Sequence, residues 1–302
     1  MVRILVAGGT GYIGGALIPA LLGRGHAVRV LARPRGTDRR LKDVEIVRGD
    51  ALNEASVAEA MLGIDVVYYL IHSMRDGARA FDERDRQAAR NFARAARVAN
   101  VRRIVYLGGL GGADSDLSMH LRSRHEVGRI LRSQGVPVTE LRAAMVIGAG
   151  SASFEMMRYL TERLPVMIAP RWVATRCQPI AVRDVIDYLV STLELDGTAG
   201  RTYEIGGADV LSYADAMHRF ARIRGLKRLI VPVPLFTPRL SSYWVHVVTP
   251  VSADIARPLI DGLHNELVVT DAAALRDFSI RPMSFEEAVR EALAPNGSKN
   301  GG

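Results

Sequence analysis

The chain has 302 residues, 48% of them hydrophobic, enough to bury a full core in one large domain or one and a half. Its net charge of +8 comes from arginines scattered along the whole length, with three lysines and 6% aromatic residues, which argues against a nucleic-acid surface. One cysteine, Cys177, excludes an internal disulfide and a cysteine-built metal site, and the absence of a long apolar run or a leader before Val2 suggests a cytoplasmic protein.

Val2, Ile4, Leu5, Val6 and Ala7 form a short apolar, largely β-branched run. The turn Gly8-Gly9-Thr10-Gly11-Tyr12-Ile13-Gly14 follows at once, and Ala16, Leu17, Ala20 and Leu21 then repeat with helical spacing. Strand, glycine turn and helix in that order suit a dinucleotide. One glycine makes the turn, one lets the backbone reach a pyrophosphate, and one lets helix and strand pack closely while the helix N-terminus faces the phosphates. Residues 8–14 are therefore expected to bind an NAD(P) cofactor.

Ala27–Leu31 reads as a second strand. An acidic residue at its end would bind a ribose 2′-hydroxyl; Arg33 and Arg35 stand there instead and favour NADP, with NAD still open and solvated surface arginines the alternative. Val44–Asp50 is a third strand that brings Asp50 and Ala51 to the adenine side. After a helix begun by Asn53, the apolar run Ile64–Ile71 forms a fourth strand, placing Leu70 and His72 towards the nicotinamide end. A structurally bonded histidine is the competing reading of His72.

Phe81–Asn100 is a long helix, Ile104–Leu107 a fifth strand, Ser118–Ser133 a helix and Val138–Arg142 a sixth strand. This alternation predicts an α/β fold with a doubly wound parallel Rossmann sheet. The core is expected over residues 1–150, with 176–205 returning to it. Residues 151–175 and 206–294 are read as a smaller C-terminal substrate lobe, and the polar residues 295–302 as a disordered tail. Within the lobe the pattern suggests a helix over Ala152–Arg163, an extended stretch Trp172–Ile180, a helix Val182–Leu195, a strand Thr202–Ile205 and helices Ser212–Gly225 and Ser284–Leu293. Leu235–Val251, with Phe236, Tyr243 and Trp244, reads as lobe core, as a lid over an apolar substrate, or as a peripheral membrane contact.

The Ala7–Gly14 motif, Gly49-Asp50, the Asn91–Ala96 segment, Gln178–Val185 and Tyr203–Gly207 followed by Leu211-Ser212-Tyr213 together resemble the atypical and extended short-chain dehydrogenase/reductases. The likeness covers nearly the whole chain and is closest to the NmrA-like and complex I accessory-subunit-like NAD(P)H-binding branch. It implies a Rossmann domain, a substrate lobe, and usually a Tyr-x-x-x-Lys pair preceded by a serine on the fifth strand, in which the tyrosine exchanges a proton with the substrate. None of the nine tyrosines has a lysine four residues on, and Gly108 and Gly109 stand near the serine position. Where the pair is expected the chain has His120-Leu121-Arg122-Ser123-Arg124, and residues four apart share a helix face. His120 is the candidate proton donor and Arg124 the candidate cofactor-positioning residue, against solvated helix residues as the alternative.

The expectation is an NADP-preferring oxidoreductase of an apolar carbonyl, enone or quinone-like small molecule, or alternatively a non-catalytic NAD(P)H-binding redox sensor or accessory subunit. No metal and no nucleic-acid partner is expected, and oligomeric state is left open.

Overall fold

The computed structural model describes residues 1–33, 43–72, 78–112, 117–233 and 260–294. Arg35, the Leu235–Val251 stretch and the 295–302 tail lie outside these. The first half alternates as read: β1 (Arg3–Ala7), α1 (Tyr12–Gly23), β2 (Ala27–Ala32), β3 (Glu45–Arg48), α2 (Glu54–Met61), β4 (Val66–Tyr69), α3 (Ala78–Val98), β5 (Arg103–Gly109), α4 (Met119–Arg132) and β6 (Val138–Ala143). Then follow β7 (Val146–Ile147), α5 (Ala152–Arg163), β8 (Val166–Pro170), β9 (Arg176–Cys177), β10 (Ile180–Ala181), α6 (Val182–Ser191), β11 (Thr202–Ile205), β12 (Leu211–Ser212), α7 (Tyr213–Ile223), β13 (Leu229–Val233), α8 (Ala273–Asp277) and α9 (Phe285–Leu293).

Local chemistry sets the helix ends. The side chains of Asn53 and Ser118 accept from the backbone N–H groups of Ser56 and Leu121, and Ser212 and Ser284 open α7 and α9 with reciprocal capping boxes to Asp215 and Glu287. Two expectations need correction. Trp172–Ile180 is not one extended run, because Arg171–Ala174 is a 3-10 turn; Trp172 and Val173 are both buried, which neighbouring residues of a strand with one covered face cannot be. The helix read over Val182–Leu195 stops at Ser191, where the Thr192 hydroxyl turns back to donate to the Leu189 carbonyl at 2.6 Å.

The seven-stranded sheet has the order β11-β6-β5-β4-β1-β2-β3, all parallel. Its strands are covered on both faces, so β1 is buried from Ile4 to Ala7 and β4 throughout. On one face Leu5, Val67, Tyr69, Phe92, Tyr106, Val127 and Leu131 share a single apolar cluster, with Tyr69 edge-on to Phe92 at 5.1 Å and to Tyr106 at 5.9 Å.

Two buried charges tie the sheet to its surroundings. Glu140 on β6 is 0% exposed and pairs with Arg132 of α4 at 2.7 Å and with Arg142 at 2.8 Å. Glycines make room for it: a Cβ on Gly108 would lie 2.9 Å, and one on Gly128 2.7 Å, from its carboxylate oxygens. Arg103 on β5 donates to the Thr192 carbonyl just past the C-terminus of α6 and, at 3.3 Å, to that of Asp196 in the following turn.

The described chain divides into two compact units, Met1–Ala143 with Ile186–Ile205 and Thr270–Ile280, and Ala144–Val185 with Gly206–Val269 and Arg281–Gly302. Relative to the sequence boundaries, 176–185 goes with the second unit and 270–280 with the first. The latter follows from Glu204, whose carboxylate accepts from the Thr270 and Asp271 backbone N–H groups, and from Tyr203, whose hydroxyl donates to Asp277 at 2.9 Å. In the second unit β7 pairs with β10, β9 with β12, and β8 with β13. The Gln178 amide there donates to the Gly207 carbonyl at 2.7 Å and accepts from Val269 at 3.0 Å, so this motif residue fastens backbone.

Candidate functional site

The strand order reverses between β1 and β4, and in an open parallel sheet ligands gather beyond the carboxyl ends of the strands at such a point. Gly8 leaves β1 there with φ +92°, and a Cβ on it would lie 2.7 Å from the Leu70 carbonyl oxygen at the end of β4. Gly11 donates to the Gly8 carbonyl at 2.9 Å, closing the turn, and Gly14 is pressed against the same carbonyl, where a Cβ would sit at 2.3 Å. Gly9 backs onto Val30; Thr10 is exposed, and Tyr12 and Ile13 are half-buried. Gly11 is also the N-cap of α1, with no side-chain cap and no acidic residue in the first turn. A helix end that offers backbone N–H groups, uncapped and closely approachable, fits a pyrophosphate.

The loop after β3, read from sequence as the adenine side, is built by local hydrogen bonds. Asp50 Oδ1 accepts from the Leu52 backbone at 3.0 Å, which shapes the loop after β3, and Asn91, fully buried on α3, donates to the Ala51 carbonyl at 3.0 Å. Arg33 is exposed at the end of β2, and Arg48 of β3 donates to its carbonyl at 3.3 Å.

Past Leu70, the chain turns His72 against α4. The His72 and His120 ring centroids are 4.8 Å apart, tilted by 57°. His72 Nδ1 is 3.5 Å from Oδ2 of Asp85, an α3 residue only 3% exposed. Burial, then Arg124, pushes the His72 pKa well below its usual range; burial, His72 and Arg124 do the same to His120, partly opposed by Asp85. Both imidazoles are therefore neutral at pH 7. Arg124 lies one turn beyond His120; its guanidinium donates to the Leu107 carbonyl and sits 5.4 Å from the Tyr106 ring, whose hydroxyl donates to the Arg124 carbonyl at 2.9 Å. His125 Nε2 lies 3.1 Å from the Gly109 carbonyl, so α4 is fastened to the end of β5 at two points.

The structure thus brings together the glycine turn, Leu70 and His72, and, next to His72, His120 and Arg124. Asp50 and Ala51 lie at the end of the neighbouring β3 and Arg33 at the end of β2. Sequence reading missed Asp85, Arg48 and His125. Asp85 carried a signal: it shares a helical face with Ala88, Ala89 and Phe92, a buried stripe in which a carboxylate needs a partner. Among the described residues no helix is long and apolar enough to cross a membrane.

A family model described as NAD(P)H-binding matches residues 8–159, half of the chain. A (4-alkanoyl-5-oxo-2,5-dihydrofuran-3-yl)methyl phosphate reductase of Streptomyces griseus is 28% identical over 230 residues, 74% of each chain. The photosystem II assembly factor Ycf39 of Synechocystis is 23% identical over 77% of this chain and 71% of its own length. The structure of Citrobacter sp. triphenylmethane reductase complexed with NADP(H) superposes with a TM-score of 0.76 at 19% identity, covering 96% of this chain and 100% of the other. With its glycine turn at the switch point of a doubly wound parallel sheet, this chain belongs to the NAD(P)H-binding family whose model it matches.

Proposed function

We propose that the protein is an NADP-preferring reductase of an apolar carbonyl, enone or quinone-like small molecule in which His120 delivers the proton usually given by a tyrosine. The observation that carries this reading is the His72–His120 pair, packed at 4.8 Å next to the chain that meets the glycine turn. Bound in that turn, NADPH supplies a hydride. The residues of the chain hold and deliver the proton. Arg33 and Arg35 favour a 2′-phosphate, and the likeness to a reductase whose named substrate carries alkanoyl and oxo groups supports a carbonyl or enone.

With menadione as the probe, His120→Ala is expected to lower kcat about 100-fold while leaving the affinity for NADPH unchanged. An unchanged kcat would remove His120 from the reaction. Because both imidazoles are held neutral, the proton-bearing form grows as pH falls, so a rate limited by proton delivery rises towards acid pH. For the cofactor, fluorescence titration should show tighter binding of NADPH than of NADH, and the double variant Arg33→Ala/Arg35→Ala should narrow that ratio about tenfold, or ~1.4 kcal/mol. Equal affinities in the unaltered protein would refute the NADP preference.

A second reading, a non-catalytic NAD(P)H-binding sensor or accessory protein, is favoured by the missing Tyr-x-x-x-Lys pair and by the likeness to an assembly factor. Tight NADPH binding without deuteride transfer from labelled NADPH to any of a panel of enones, ketones and quinones would decide for it.

A further inference from the structure

We infer that Asp85 is a positioning residue of this site: from α3 it fixes which ring nitrogen of His72 carries the proton and supplies the countercharge as a proton passes from His72 to His120. The inference rests on the reductase reading above for its catalytic consequence, but its geometric part stands alone. Asp85 is 3% exposed, and its Oδ2 faces His72 Nδ1 at 3.5 Å. A carboxylate is kept in such a place only by what it holds. An ionised carboxylate can only accept, so the nitrogen facing it must be the one that bears hydrogen, which leaves the His72 Nε2 lone pair as the acceptor.

The proton balance is simple. Per turnover His72 Nε2 takes one proton from water and passes it to His120, which gives one to the substrate oxygen; His72 keeps its Nδ1 proton, Asp85 stays ionised and the relay moves no electrons. Among the described residues, the charged and titratable groups around the pair are Asp85 from α3, Arg124 from α4, and the Tyr69 and Tyr106 hydroxyls from β4 and β5. Burial pushes the Tyr69 hydroxyl well above its usual range and that of Tyr106 up to about 12, so both stay neutral. Arg124 opposes a positive charge on the imidazoles. Asp85 is the one anion among these groups that favours it, and its removal moves protonation of the pair to lower pH.

The test is nitrogen NMR of the protein labelled with [15N]histidine, with the His72 and His120 signals assigned through His72→Gln and His120→Gln. The unaltered protein should show His72 neutral and protonated at Nδ1. Asp85→Leu should let His72 populate both tautomers, and Asp85→Asn, which keeps the shape and loses the charge, should shift the His120 titration to lower pH. NADPH affinity in both variants should stay within twofold. With menadione, kcat of Asp85→Asn should fall at least tenfold at pH 7 and its acid limb should move to lower pH, with KM unchanged. His72 protonated at Nε2 in the unaltered protein, or a His120 titration unmoved in Asp85→Asn, would overturn the inference even if the leucine variant failed to fold. No menadione turnover by the unaltered protein, with the expected NMR, would instead overturn the reductase reading and leave the carboxylate–imidazole assignment in place.

Discussion

Replacing Gly14 with alanine will weaken NADPH binding by at least ~100-fold, or about 2.8 kcal/mol, and lower stability as well. On propensity alone the change should help, since alanine in a helix is favoured over glycine by about 1 kcal/mol. Here the added Cβ would meet the Gly8 carbonyl oxygen at 2.3 Å and the Gly9 Cα at 2.7 Å. Both are backbone, so either α1 withdraws from β1 or the turn opens, and each displaces the N–H groups that would face the pyrophosphate. Overpacking of this kind typically costs about 1–3 kcal/mol in stability. Gly23 provides the control: it lies at the other end of α1 with nothing within 4 Å of its Cβ position, so Gly23→Ala should bind NADPH normally. Fluorescence titration and urea unfolding of the two variants measure both effects. Normal NADPH affinity in Gly14→Ala would mean that the turn is not the cofactor cradle.

The second large effect is expected at Arg103. Its side chain is 9% exposed and donates to the Thr192 carbonyl, to Thr198 Oγ1 at 3.2 Å and to the Asp196 carbonyl at 3.3 Å. Methionine preserves the length and apolar stem but removes every donor. The Thr192 carbonyl, then left buried without this donor, costs about 1–3 kcal/mol, so Arg103→Met should lose ~1–3 kcal/mol in urea unfolding. Lysine should not rescue it, because a single ammonium cannot reproduce the fork that spans several acceptors. The nearby ion pair is not the cause: Asp196 lies 3.6 Å away with its side chain 92% exposed, and Asp196→Ala should change stability by no more than about 0.5 kcal/mol. A loss at Asp196 equal to that at Arg103 would reverse this assignment.

Much of the fold was legible because a sheet covered on both faces writes itself as apolar runs. β1, β4 and β5 are such runs, and the glycine turn between β1 and α1 has a spacing that few other structures require. β11 and α5 coincide with the segments read from sequence, since each is bounded by residues that stop it. The short pieces were harder. β8 is half-exposed and α8 only five residues long, so neither repeats its pattern often enough to stand out, and the 3-10 turn at Trp172 was hidden in an apolar stretch. In the site, His72 and His120 were legible from where their elements end. Asp85 was harder to see, because its place on the apolar stripe of Ala88, Ala89 and Phe92 is masked by the charged neighbours Glu83, Arg84 and Arg86. Packing shows that Asp85 turns inward.

Glu140 also bears on how the chain stands to its relatives. Where the resemblance would place a serine the fifth strand carries Gly108 and Gly109, and any side chain placed at Gly108 would begin 2.9 Å from a carboxylate that two arginines keep from swinging aside. At Gly109 it would begin 2.8 Å from the buried Leu121. Placing a serine at either glycine alone therefore meets a steric barrier. A side chain with a Cβ at either position is an expensive addition on its own, tolerable only together with changes at Glu140 and its arginines or at Leu121.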